Sequence, residues 1–204
     1  SYACALLKNQ KTHGHHLSRD FTILCTYRLI VLRFKLDTKT MKIGILSDTH
    51  NDHQNIQKAL TIFERHQPDM LIFCGDATTV EVIEWFCEYP LIYTFGNCDI
   101  ATGEIKALLR AYSPSNFAGY VFEGELGGEK VAVTHGHLIN VNDEMISSGK
   151  FDYIFTGHTH LRMDQRIGNT RLINPGALGG AQKEIRSVAI LDLEMDQLIF
   201  EMLA

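Results

Sequence analysis

Five short runs in this chain carry oxygen and imidazole donors, and they come in a fixed order. They are Asp48-Thr49-His50, Gly75-Asp76, Gly96-Asn97-Cys98-Asp99, His135-Gly136-His137 and Gly157-His158-Thr159-His160. Their donors are carboxylate, imidazole and amide oxygen, with no thiolate required. That mixture suits hard or borderline divalent cations such as Mn, Fe, Ni or Zn. Two such cations about 3.5–4 Å apart, sharing a carboxylate, can clamp the oxygens of an in-line phosphoryl displacement and supply hydroxide near neutral pH. One Asp-x-His or one buried His alone says little. The argument rests on the set, because every run directly follows an apolar stretch that reads as a strand.

Those stretches define the elements that position the donors. Ile43-Gly44-Ile45-Leu46-Ser47 is a strand, and a helix is expected over 53–66, with Ile56, Ala59, Leu60 and Phe63 at helical spacing. Met70–Cys74 and Leu91–Phe95 read as further strands, and 79–88 and 101–112 as helices. This β-α-β-α-β order implies parallel strands with crossover helices. In the second half, 117–126, 130–134, 153–156, 163–167, 171–173 and stretches near 186–193 and 196–203 read as short strands, with one helix over 142–148. Gly127-Gly128 and Gly168-Asn169 signal hairpin turns. Two sheets packed face to face, with helices outside, accommodate all of this.

In such a sheet, loops at the carboxyl ends of the strands converge on one crevice. Asp48, His50, Asp76, Asn97, His135, His158 and His160 all fall there. In extended backbone, residues i and i+2 point the same way, so both donors of Asp-x-His or His-x-His can face one pocket. Glycines at 75, 96, 136 and 157 are expected to permit sharp turns and close backbone approach.

The 204 residues are 45% hydrophobic and 21% charged, enough for one domain with a sizeable core. Charge is unevenly placed. Residues 1–40 hold seven Lys/Arg and two Asp/Glu, and the remainder twelve against twenty-two. An acidic body argues against a nucleic-acid groove, whose affinity rests on basic residues at phosphates. Residues 1–40 are read as a non-catalytic extension: a leader, a transit-like segment or expression-derived sequence ahead of a domain at 41–204. His13, His15 and His16 are then surface residues, and Phe21 to Leu36 is too short and too charged to span a bilayer. Five cysteines without a Cys-x-x-Cys argue against a disulfide framework and fit a reducing, cytoplasmic setting.

At these residues the chain resembles the calcineurin-like metallophosphoesterase superfamily, whose pattern is D-x-H, G-D, G-N-[HC]-[DE], H and G-H-x-H. Within it, the short body, Gly96-Asn97-Cys98-Asp99 and Asn174-Pro175-Gly176 are similar to the small single-domain phosphodiesterases of the YfcE type. The resemblance implies a four-layer α/β/β/α sandwich of two mixed sheets flanked by helices, with a dinuclear centre for which Mn is the first expectation. Asp48, His50, Asp76 and His160 would hold one ion. Asp76, Asn97, His135 and His158 would hold the other, with Asp76 bridging. A bridging hydroxide would attack the phosphorus of a small phosphodiester. Asp76, Asn97 and His135 are expected in the catalytic machinery, with Cys98, Asp99 and His137 as further candidates. Where many relatives have a His able to protonate the leaving oxygen, this chain has Cys98. Where the family often has Ser after Asn-Pro-Gly, it has Ala177.

Gly75-Asp76-Ala77-Thr78-Thr79 lacks the Arg of Ser/Thr protein phosphatases, which disfavours that activity. Two alternatives stand beside the phosphodiesterase: a phosphomonoesterase or nucleotidase on the same site, and an interaction scaffold like the retromer subunit of similar fold. No membrane association is expected, and homo-oligomerisation is left open.

Overall fold

The structure, a computed structural model, describes residues 41–181 and 184–203. The expectations for residues 1–40, including where the domain begins, lie outside the described residues.

The first half alternates as expected. Strands β1 (Lys42–Leu46), β2 (Met70–Phe73) and β3 (Leu91–Thr94) are joined through helices α1 (His53–His66) and α2 (Val80–Glu84), and α3 (Thr102–Tyr112) leads on to β4 (Phe117–Gly119). The second half holds β5 (Val121–Leu126), β6 (Glu129–Thr134), α4 (Ile139–Ser148), β7 (Tyr153–Phe155), β8 (Arg162–Ile167), β9 (Thr170–Pro175), β10 (Ser187–Asp192) and β11 (Gln197–Met202).

One sheet runs β11-β10-β1-β2-β3-β4 and the other β5-β6-β7-β9-β8. Strands β1 to β4 are mutually parallel, as are β6, β7 and β9, while β10, β11, β5 and β8 run antiparallel to their neighbours. The two-residue period of a strand sorts its side chains between layers. Ile43, Ile45, Ile72 and Cys74 face Val131, Val133 and Phe155 between the sheets. Leu46, Leu71 and Phe73 face outward onto Ile56 and Phe63 of α1, Ile83 of α2 and Leu109 of α3. Ala132, Ile154 and Leu172 meet Met145 of α4 on the far side. The result is the expected α/β/β/α sandwich.

Local chemistry sets the element ends. Asp52 caps α1 by accepting from the Asn55 N–H at 3.1 Å, and Gln67 closes the helix in the left-handed region at φ 50°. The turns at Gly127-Gly128 and Gly168-Asn169 form as expected, joining β5 to β6 and β8 to β9.

Three expectations change. The stretch 117–126 is two strands: β4 pairs with β3, and after Tyr120 the chain crosses to the other sheet as β5. The helix expected over 79–88 is short, because the N–H groups of Phe86, Cys87 and Tyr89 reach carbonyls three residues back instead of four. Helix α4 starts a turn earlier, with the Asn142 N–H bonded to the Leu138 carbonyl.

Candidate metal centre

All five donor-bearing loops leave the carboxyl ends of parallel strands, three in one sheet (β1, β2, β3) and two in the other (β6, β7). The site therefore straddles the seam between the sheets. Backbone bonds tie the loops together: Asp48 N–H to Gly75 O at 2.9 Å, His50 N–H to Asp76 O at 3.1 Å, and Gly157 N–H to His135 O at 2.9 Å.

Asp48 is fully buried. Its Oδ2 accepts from the Ser47 hydroxyl at 2.5 Å and from the His158 N–H at 3.0 Å. Its Oδ1 has no hydrogen-bond partner and lies 3.2 Å from His160 Nε2, 3.8 Å from His50 Nε2 and 3.9 Å from His135 Nε2. Asp76 Oδ1 accepts from the Cys98 N–H at 2.8 Å, while its Oδ2 lies 3.4 Å from His135 Nε2 and 3.8 Å from His50 Nε2. His135 gives its Nδ1 to the Cys74 carbonyl at 2.6 Å, which leaves the buried, unpartnered Nε2 turned toward the carboxylates. A carbonyl behind an imidazole is how a ligand's tautomer is commonly fixed.

Buried polar atoms ordinarily have partners. Here two of them, Asp48 Oδ1 and His135 Nε2, have none and converge with other lone-pair donors. The His50 and His160 Nε2 atoms are themselves only 3.4 Å apart. Asp48, His50 and His160 form one group able to hold a cation, and Asp48, Asp76 and His135 form another. The donor set fits divalent metal ions.

Electrostatics agree with that crowding. Burial pushes the Asp76 carboxyl up, but the His135 ring and the Cys98 N–H outweigh it and hold the carboxyl well below its usual range. Burial pulls His135 down, and Asp76 and Asp48 more than offset this.

The expected i, i+2 alternation is not how the paired donors converge. Asp48 (φ 51°), His50 (φ 42°), His158 (φ 66°) and His160 (φ 61°) all adopt left-handed backbone. So do Asn51, Asp76 and Thr78. These loops are chains of tight kinks rather than extended segments. Such backbone costs roughly 1–3 kcal/mol per residue and collects at functional sites.

The glycines act as expected, Gly75 (φ 91°) and Gly136 (φ 101°) making the turns, and Gly96 and Gly157 add a close approach to side chains. A Cβ on Gly96 would stand 1.9 Å from Asp76 Oδ1, and one on Gly157 would stand 1.9 Å from Ser47 Oγ. These two glycines make room for the carboxylates and their supports.

The remaining candidates sort by contact. Asp99 is a brace: its carboxylate accepts from the N–H groups of Asp76, Thr78 and Gly96 and from the Tyr93 hydroxyl. Cys98 Sγ groups with His50 and Asp76. Burial, then the Asp76 carboxylate, pushes its thiol up to about 11. Asn97 is exposed, and its amide donates to Cys98 Sγ at 3.3 Å. His158 is exposed too, with its ring centroid 5.1 Å from that of His135. His137 lies 5.3 Å from His135, and burial followed by its imidazole neighbours keeps it below its ordinary pKa.

Sequence reasoning missed two supports. Asn174 donates to the Gly157 carbonyl at 2.7 Å and to Thr159 Oγ1 at 3.2 Å, and so fixes the last donor loop. Its place in Asn-Pro-Gly after a strand was the available signal. Ser47 holds Asp48, and nothing in its type or spacing announced that role. Ala177 is buried and bonds through its backbone to Ser187.

The fold and this donor cluster define a metal-dependent phosphoric ester hydrolase. The sequence matches the calcineurin-like phosphoesterase superfamily domain over residues 41–196, and the chain belongs to that family. It is 36% identical over 156 residues to phosphodiesterase MJ0936 of Methanocaldococcus jannaschii, a match spanning 76% of this chain and 94% of that protein. A solved archaeal phosphodiesterase superposes with a TM-score of 0.76 at 34% identity, covering 80% of this chain and all of that one. The phosphoesterase YfcE of E. coli shares the fold with a TM-score of 0.56 at 20% identity, over 80% and 99% of the two chains. No helix among the described residues is long and apolar enough to cross a membrane.

Proposed function

We propose that this protein is a dinuclear-metal phosphodiesterase acting on small phosphodiesters. The observation that carries the reading is the convergence of buried, unpartnered Asp48 Oδ1 and His135 Nε2 with Asp76, His50 and His160. Asp48, His50, Asp76 and His160 would hold one divalent ion, Mn first, and Asp76, Asn97, His135 and His158 the other. Such ions would supply Lewis acidity at phosphoryl oxygens and hydroxide near neutral pH.

The chain's own part is preorganisation. Cys74 O holds the His135 ring with Nε2 inward, the Cys98 N–H and His158 N–H each fix one carboxylate, and Asp99 ties the second and third loops together. The relatives named as phosphodiesterases favour a diester over a monoester substrate. Free Cys74, Cys87 and Cys98 support a reducing, cytoplasmic setting.

The test is a panel of aryl diesters and monoesters offered to metal-stripped and Mn-loaded protein. Diester hydrolysis should appear only with metal and vanish in Asp76→Asn. Faster monoester turnover would favour the nucleotidase reading. Hydrolysis that ignores both chelator and Asp76→Asn would sink the proposal.

A further inference from the structure

The crossing of the chain from one sheet to the other leaves an aromatic ring at the mouth of the site. β4 pairs with β3 in parallel up to Thr94↔Gly119, so Tyr120 comes next beside Phe95, at the carboxyl end that carries Gly96 to Asp99. β5 pairs with β6 from Val121↔Thr134, so Tyr120 also stands opposite His135 in the other sheet. One residue thus borders the third and fourth donor loops, and it does so because the strand is cut in two at this point.

The Tyr120 ring is supported on one side and open on the other. It packs edge-on against buried Phe95, with centroids 5.3 Å apart at 73°, and remains 53% exposed. On the site side its centroid is 6.5 Å from that of His137, whose ring lies 5.3 Å from His135 and 6.3 Å from His158. His137 Nδ1 is buried without a partner. The apolar side chains of Ile100 and Leu138, each directly after a donor loop, are exposed as well. An exposed aromatic ring bordering a polar crevice offers a ligand a large contact area. A rigid ring held edge-on by a buried neighbour is a ready stacking platform, because its face is desolvated by a flat partner at little entropic cost.

We propose that Tyr120, backed by Phe95 and flanked by His137, forms a subsite for an aromatic ring on one arm of the substrate. The substrate class is then a phosphodiester bearing an aryl group or a nucleobase, with the phosphate at the donor cluster and the ring on Tyr120. This inference rests on the phosphodiesterase reading for the identity of the site.

Equilibrium binding separates the two claims. Phenyl phosphate and methyl phosphate carry the same headgroup and differ in the ring, and adenosine monophosphate distinguishes a nucleoside arm from a simple aryl one. Mn-loaded wild type should bind phenyl phosphate about tenfold more tightly than methyl phosphate, within the range of a single stacking contact. Tyr120→Phe should keep that ratio. Tyr120→Ala and Tyr120→Leu should reduce it to about twofold or less, leaving methyl phosphate affinity unchanged. Whichever of phenyl phosphate and adenosine monophosphate binds tighter identifies the arm.

Equal binding of phenyl and methyl phosphate to wild type would overturn the subsite. So would a Tyr120→Leu protein that retains the full ratio, since the surface would then be merely apolar. Hydrolysis of diesters without a Tyr120-dependent ring preference sinks this inference alone. A Tyr120-dependent ring preference in a protein that hydrolyses no diester upholds the subsite and sinks the catalytic reading.

Discussion

Two clusters of charged side chains sit at opposite ends of the same sandwich, and they are built on opposite rules. At the amino end of β9, Arg171 donates its Nε and one terminal nitrogen to the two Asp164 oxygens, each at 2.8 Å. Its other terminal nitrogen bonds the Asp196 carboxylate and backbone carbonyl, and Asp196 also takes the Tyr153 hydroxyl at 2.8 Å and Arg166. Every charge there has a partner. At the carboxyl end, Asp48 Oδ1 and His135 Nε2 have none. The backbone differs in the same sense. Among the described residues, nine non-glycine positions have positive φ, and seven lie in the donor loops. The other two, Gln67 and Asp196, are a helix cap and a hairpin turn. One end is satisfied, with left-handed non-glycine backbone only at Asp196 in its hairpin turn, and the other is unsatisfied and kinked at those seven positions. The difference separates a cluster that ties the sheets together from one whose buried donors suit a metal ion.

Substitutions at the two ends should therefore part stability from activity. Asp76→Asn should lower diester turnover by about 10³-fold or more, since it removes preorganised charge at the reacting centre. Because burial is outweighed by His135 and the Cys98 N–H, which hold this carboxylate acidic, some metal-free stability should go with it. Mn should raise the wild-type melting temperature, and this rise should be smaller in the variant. Arg171→Ala should lower stability and spare the rate. It removes a buried guanidinium and its bonds to two exposed carboxylates, at a cost of about 1.5–3 kcal/mol, which is ~5 °C for a domain of this size. The rate per folded molecule at 25 °C should stay near wild type. Calorimetry together with turnover checks both. An unchanged rate for Asp76→Asn, or a lost rate for Arg171→Ala, would break the contrast.

Cys98 sharpens the contrast from within the unsatisfied end. A thiol pushed up to about 11 is a poorer proton donor than an imidazole near 6.5. Wild type should therefore favour diesters with good leaving groups. Cys98→His should flatten the dependence of rate on leaving-group pKa by helping alkyl leaving groups, on the order of tenfold for the poorest. Parallel slopes for the two proteins would remove Cys98 from any part in proton transfer.

The donor end was also the more legible in sequence, for a physical reason. Metal chemistry restricts residue type, so Asp48, His50, Asp76, His135, His158 and His160 stand out, and strands place them at one edge. The βαβ alternation was equally plain, because burial imposes periodicity. What stayed hidden depends on tertiary partners. Nothing local tells 117–126 to divide between two sheets, since Phe117 and Phe122 both suit a strand and it is the choice of neighbour that cuts the run at Tyr120. Left-handed backbone at Asp48 or His158 leaves no mark, because Asp and His also occupy ordinary conformations. Asp99 stood in the motif, but its four bonds are tertiary and set its bracing role. The Arg171 cluster was invisible because the hairpin that carries Asp164, Arg166 and Arg171 meets Tyr153 and Asp196 only in the fold, and each member is common at a surface.

The smallest effect tests that paired cluster by pH. The Arg171 hydrogen bonds hold the Asp164 carboxyl below its ordinary value, against a smaller upward push from burial. A carboxylate more acidic in the folded than in the unfolded chain contributes stability that is complete above the unfolded pKa, near 4, and is lost as pH falls through the folded value. Asp164→Asn keeps the shape and one acceptor but removes the charge. At pH 7 it should lower the melting temperature by ~2–4 °C, about 1 kcal/mol. Between about pH 4 and pH 2 that gap should close, because wild type loses the same charge by protonation. Asp196, on the other arm of Arg171, is also held low, with Tyr153 and Arg171 outweighing its burial, so part of the cluster should survive in the variant at neutral pH. A gap that persists unchanged to pH 2 would mean that Asp164 contributes by packing, and the satisfied end would then owe its stability to shape rather than to charge pairing.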